Sequence, residues 1–180
     1  YITFVDWLKK NINNSKVQAF FVNGLKDGNA ADDKFTISRP IAFPVKNLRP
    51  TQNDIGVNGS LKWPLMKLPK QFVRYAAARI PIMPLTPEIN PIVIFNGKWI
   101  IDGHHRWSSL YACNSEALIM CYNIYTQKTK DPMQILKAVQ AAIVAATGEI
   151  KLETSSGINL LTISEKLLKK WVINYSNFEG

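Results

Sequence analysis

Between Pro91 and Ala112 the chain reads P-I-V-I-F-N-G-K-W-I-I-D-G-H-H-R-W-S-S-L-Y-A, and these residues constrain the fold more tightly than any others. Ile92 to Phe95 and Trp99 to Ile101 are apolar, β-branched or aromatic, and the Asn96-Gly97 pair between them is the strongest short signal for a β-hairpin. The second strand ends at Asp102. Gly103 permits a tight turn, and Trp107, Leu110 and Tyr111 then recur at helical spacing, which predicts a helix over His105 to Ala112. A strand, a glycine turn and a helix in that order aim the first N–H groups of the helix, with their partial positive charge, at whatever lies beyond the turn. An anion suits that position. His104, His105 and Arg106 add donors there, and the Arg106 guanidinium grips phosphate oxygens in pairs while staying charged at any working pH. The local alternative is that Asp102 caps the helix and the histidines cover surface.

Around this stretch the organisation is legible in outline. Thr3 to Ile12 and Ser15 to Val22 read as two short helices, Asn23 to Lys34 as a polar loop, and Phe35 to Val45 as β structure interrupted by Pro40 and Pro44. Gln71 to Ile80 reads as a helix, and the proline-rich Pro81 to Pro91 as an extended connector into the hairpin. Ala117 to Tyr125 returns as a strand. Asp131-Pro132 opens a helix whose Met133, Leu136, Val139, Ile143 and Ala146 repeat at three and four residues up to Gly148. A last helix runs from Ser164 to about Tyr175, with Leu167, Leu168, Trp171 and Val172 available to pack on the core or on another subunit.

The 180 residues, 47% of them hydrophobic, suit one principal domain with attachments. No run approaches the roughly 20 apolar residues of a membrane span, so no membrane partner is expected. Asp6, Lys9 and Lys10 argue against a secretory leader, and a start at Tyr1 points to a fragment or a processed product. The two cysteines, Cys113 and Cys121, lack the paired spacing of a zinc site and imply neither a metal centre nor a disulfide framework. The net charge of +9 makes a polyanionic partner plausible, nucleic acid included. Trp63, Phe72, Tyr75 and Arg79 interleave aromatic and cationic groups, a composition suited either to stacking on bases or to an amphipathic helix with buried aromatics.

Asp102-Gly103-His104-His105-Arg106, with a hydrophobic hairpin before it and a helix after it, resembles the phosphate-binding motif of the ParB/sulfiredoxin-like superfamily. Upstream, Leu48-Arg49-Pro50-Thr51-Gln52 is similar to the L-x-P-x-Q element that opens the core of ParB N-terminal domains, and the two elements come in the right order. Together they bracket Val45 to Tyr125. The resemblance implies that Gly103, His104, His105 and Arg106, with Thr51 and Gln52, bind a nucleotide such as ATP or CTP with Mg²⁺. It also implies an α/β (α+β) core over 35–126, between an N-terminal helical extension at 1–34 and a C-terminal helical region at 127–180. The departures narrow the chemistry. His104 stands where sulfiredoxins carry their reactive cysteine, and His104-His105-Arg106 replaces the usual Glu-Arg-Arg of partition proteins, with no helix-turn-helix reader downstream. Gln52 stands where kinase-like members tend to have glutamate, and an amide takes no proton.

Three functions are compatible with this. The first is nucleotide binding with hydrolysis or phosphoryl transfer, in which Asp102 (or Asp54) serves as base or ion ligand and His104 or His105 as proton shuttle. The second is a basic, non-catalytic nucleic-acid-binding or assembly protein of a phage or mobile element that keeps the fold, with oligomer contacts through the helical extensions. The third is a ParB-like DNase. The expected compartment is the cytoplasm, a host's or else the virion if phage-encoded.

Overall fold

The computed structural model describes residues 36–62, 65, 66, 91–126, 129–147 and 157–175, with residues 6, 7, 10, 11, 13–17 and 19 near the N-terminus. The loop at 23–34, the helix at 71–80, the connector at 81–90 and the aromatic-basic positions 63, 72, 75 and 79 lie outside the described residues. Of the two N-terminal helices, positions 6, 7, 10, 11, 15–17 and 19 are described and helical. The fold class is mixed α and β.

Among the described residues six strands form one sheet: β1 (Thr36–Ile37), β2 (Ile41–Pro44), β3 (Arg49–Pro50), β4 (Ile92–Phe95), β5 (Trp99–Asp102) and β6 (Leu118–Tyr125). Their order is β1-β6-β4-β5-β3, with β2 also paired to β6. Three α-helices are described, α1 (His104–Cys113), α2 (Pro132–Thr147) and α3 (Glu165–Tyr175). The chain divides into two compact units, one of residues 1–37 and 124–154 and one of residues 38–123 and 155–180. The division differs from one at 34 and 126, because the last helix belongs with the central strands.

In the unit of 38–123 and 155–180, β4 and β5 form the hairpin that Asn96-Gly97 announces. Both turn residues have positive φ, 50° and 65°, which a two-residue turn of the hairpin type demands. Lys98 N–H closes the turn on Phe95 O at 3.1 Å, and Asn123 Oδ1 accepts Gly97 N–H at 2.9 Å. Further along, the register shifts between Val93 and Ile94, so that Asp102 and not Ile101 stands opposite Val93. Ile100 and Ile101 are both buried in β5, which lies between β4 and β3. β3 runs parallel to β5, with Pro50 opposite Ile100.

The core beneath the sheet joins Val45, Leu48, Ile92, Ile94, Ile100 and Ile119 to Trp107 and Leu110 of α1. Trp107 also donates its indole N–H to Val45 O at 2.9 Å, so burial of its one polar atom carries no penalty. A second cluster seats Trp171 of α3 against Val57, Leu61 and Leu65, with Leu168 and Val172 beside it. That face of α3 is used within its own unit; Leu167 is exposed. Ser164 opens the helix as expected, its Oγ accepting Leu167 N–H at 3.3 Å. Leu160 N–H to Ile55 O (2.8 Å) and Val57 N–H to Ile158 O (2.9 Å) strap the preceding segment to the chain leading into a π-helical turn, Asn58–Lys62.

In the unit of 1–37 and 124–154, Thr36 and Ile37 pair with Tyr125 and Ile124. Asp131 Oδ1 accepts Met133 N–H at 2.9 Å and so caps α2 at the predicted place. The apolar stripe read from its sequence is corrected: Met133 and Ile143 are 43% and 53% exposed, while Ile135 and Ala141 are buried. Fifteen of its sixteen residues are uncharged and most are apolar, so the apolar positions alone did not select a face; the polar Gln134, Lys137 and Gln140, three residues apart, are all exposed.

Candidate functional site

The site is built where β5 stops. Gly103 has φ +94°, and a β-carbon there would lie 2.3 Å from Ile92 Cγ2 and 3.1 Å from Arg106 Nη2. Glycine is therefore required twice over, for the left-handed backbone and for the space that Ile92 and the guanidinium occupy. Gly103 is also the N-cap of α1, and no side chain caps the helix. The first intrahelical bond is Trp107 N–H to Gly103 O at 3.0 Å, so the N–H groups of His104, His105 and Arg106 stand at the open helix start. The capping role considered for Asp102 does not hold. Its Oδ2 instead accepts from Arg106 Nη2 at 3.1 Å, one turn along.

This ion pair is exposed to solvent, with side chains 32% and 67% accessible for Arg106 and Asp102. Such a pair contributes about 0–1 kcal/mol, little enough for a multiply charged ligand to replace or share it. Arg106 Nη1 also donates to Pro91 O at 3.1 Å, which ties the helix start to the residue before β4.

The two adjacent histidines have opposite surroundings. His104 is 5% exposed, and its Nε2 accepts Thr51 N–H at 3.2 Å. Burial, only partly offset by Asp102 and reinforced by His105, lowers its pKa to about 4. The ring is therefore neutral at pH 7, with its proton on Nδ1. The expectation that His104 meets phosphate or shuttles a proton is corrected, because its Nε2 is occupied and its ring is held uncharged inside the protein. Thr51 changes role with it: its hydroxyl donates to Ile100 O at 2.6 Å and so staples the L-R-P-T-Q segment to β5.

His105, one residue on, is exposed. Its Nδ1 lies 3.1 Å from Ser60 Oγ, and Ser60 Oγ receives Ser108 Oγ at 2.7 Å. Ser109 Oγ donates to Ser60 O and, at 2.8 Å, to His105 O. Ser60, Ser108 and Ser109 were missed from the sequence; the only signal was the serine pair facing back from the helix start, and nothing local points to Ser60. Gln52 and Asp54 are both exposed. Asp102 and His105 are thus exposed and Gly103 and Arg106 half-buried at the start of α1, with half-buried Thr51 and buried His104 linking this turn to the L-R-P-T-Q segment.

Burial pushes both thiols, Cys113 and Cys121, up to about 12, which makes neither a nucleophile. Among the described residues no three His, Cys, Asp or Glu side chains cluster to hold a metal ion, and no helix is long and apolar enough to cross a membrane. No family model matches the chain, and no curated protein or solved structure matches it significantly.

Proposed function

We propose that this chain is a nucleotide-binding domain of ParB/sulfiredoxin-like type, with the start of α1 as the seat for the phosphates of ATP or CTP. One observation carries the reading. Thr51 and His104, 53 positions apart in sequence, join through the Thr51 N–H to Nε2 bond, so the two elements that resemble the superfamily's motifs meet at one place. The phosphate contacts are the N–H groups of residues 104–106, the Arg106 guanidinium and the His105 ring, with Gln52 within the same upstream element. Asp102 is the carboxylate at the seat. Mg²⁺ is held mainly by nucleotide oxygens and water and needs only one or two protein carboxylates, so Asp102 alone fits a nucleotide-borne ion, which would neutralise phosphate charge.

Calorimetric titration with ATP, ADP, CTP and GTP in the presence of Mg²⁺ tests the reading. The unaltered chain binds one or more of them, and Arg106→Ala abolishes the binding, because a guanidinium-phosphate pair is charge-assisted and bidentate. Equal heats for both proteins, or none, would return the chain to a basic scaffold that keeps the fold without the ligand.

A further inference from the structure

Ser60 is completely buried in the π-helical turn, a rare local geometry that occurs frequently at functional sites. A buried hydroxyl must place its hydrogen on a partner. Ser60 Oγ has two neighbours able to take or give one, Ser108 Oγ at 2.7 Å and His105 Nδ1 at 3.1 Å. Ser108 has a second acceptor in His105 O, also at 3.1 Å. That distance lies beyond the usual range for a hydroxyl-to-oxygen bond, whereas 2.7 Å is at its most common value. With the Ser108 hydrogen on Ser60, as the 2.7 Å separation favours, the Ser60 hydrogen is left for His105 Nδ1; a proton on Nδ1 would reverse the relay and send the Ser108 hydrogen to His105 O.

Taking its ligand from the nucleotide reading above, we propose that Ser60 is a positioning residue that holds His105 in the tautomer with its proton on Nε2. The ring then offers Nε2–H to a phosphate oxygen as a hydrogen-bond donor, with no lone pair on Nε2 to act as a base there. His104 is held the opposite way, with its proton on Nδ1, by the Thr51 N–H. Gly59 completes the arrangement, since a β-carbon there would lie 2.7 to 3.0 Å from His105 Cε1, Nδ1 and Nε2. The missing side chain is what lets the ring lie against the turn and reach Ser60.

The chain has two histidines, so ring ¹H–¹⁵N correlation spectra of the intact, uniformly ¹⁵N-labelled protein read both, with His105→Gln assigning them. At about pH 8, above the ordinary histidine range, His105 is expected as Nε2–H and His104 as Nδ1–H. Ser60→Ala should shift His105 toward a mixture of tautomers while the His104 pattern stays, which also shows the variant to be folded. The same variant should bind ATP about two- to tenfold more weakly, as the fraction of rings presenting Nε2–H falls. A proton on His105 Nδ1 in the unaltered chain overturns the proposal without any variant, as does a tautomer indifferent to Ser60→Ala. An altered tautomer with unchanged ATP affinity overturns the donor role. Absence of ATP binding in the unaltered chain, with His105 as Nε2–H, removes the nucleotide reading and leaves the positioning by Ser60 supported.

Discussion

Two turns flank β5, and both depend on glycine at positive φ, yet they are built for different ends. The Asn96-Gly97 turn closes on itself: Lys98 N–H goes to Phe95 O and Gly97 N–H to Asn123 Oδ1. The Gly103 turn is spanned only by the exposed Arg106–Asp102 pair and the first bond of the helix, Trp107 N–H to Gly103 O. It opens a helix that no side chain caps, and it is held from outside by Ile92 against the glycine and by Arg106 on Pro91 O. A turn whose donors are consumed by the protein is structural. At the Gly103 turn the first N–H groups stand at the start of a helix, which is the geometry the nucleotide proposal rests on.

The sharpest way to break this comparison is to add one methyl group at each glycine. Gly103→Ala meets both a left-handed backbone and Ile92 Cγ2 at 2.3 Å, and it should destabilise the fold by about 2–6 kcal/mol in urea titration. Gly97→Ala meets nothing closer than Phe43 at 3.4 Å, so backbone strain alone remains, about 1–2 kcal/mol. Equal losses at the two sites would mean that the Gly103 turn is not held by its neighbours.

The buried link beneath the Gly103 turn predicts a pH dependence that the hairpin turn lacks. The folded-state pKa of His104 is lowered from 6.5 to about 4, so the unfolded chain takes up the proton first as the pH falls. The contribution to stability is complete above pH 6.5 and is lost as pH drops through 6.5 toward 4, reaching about 3 kcal/mol. Urea midpoints of the unaltered chain should therefore fall faster over that interval than those of His104→Gln, which has no proton to gain; parallel curves would refute a buried neutral ring.

The smallest expected effect is the most discriminating for function. Asp102→Asn removes an exposed ion pair and should change stability by less than about 1 kcal/mol. If Asp102 serves catalysis, any nucleotide turnover should fall far more than stability does, and a turnover assay beside a urea titration reads both. Loss of stability without loss of turnover would assign Asp102 to holding Arg106 alone.

Much of this architecture was legible before folding because its signals are local. Asn96-Gly97 marks the hairpin, Gly103 the end of β5, Asp131 and Ser164 the starts of α2 and α3, each through backbone geometry or a cap that neighbouring residues decide. The placement of Asp102, Gly103, His105 and Arg106 at the start of a helix was legible from the motif for the same reason. The roles of His104 and Thr51 could not. Two consecutive histidines look equivalent in sequence, and only the parallel pairing of β3 with β5 brings Thr51 under one of them. The face of α2 was misread from its many apolar positions, whereas its few polar ones, Gln134, Lys137 and Gln140, lie on the exposed side.

The sequence by itself determined a hairpin running into a glycine-opened helix, with a cation and a carboxylate one turn apart at its start, because φ preferences and i,i+4 spacing act over a few residues. Tertiary structure alone decided which histidine is buried and which is presented. That choice depends on Thr51 and Ser60, 53 and 45 positions away from their partners, and contacts at such separations exist only once the chain has closed the intervening loops.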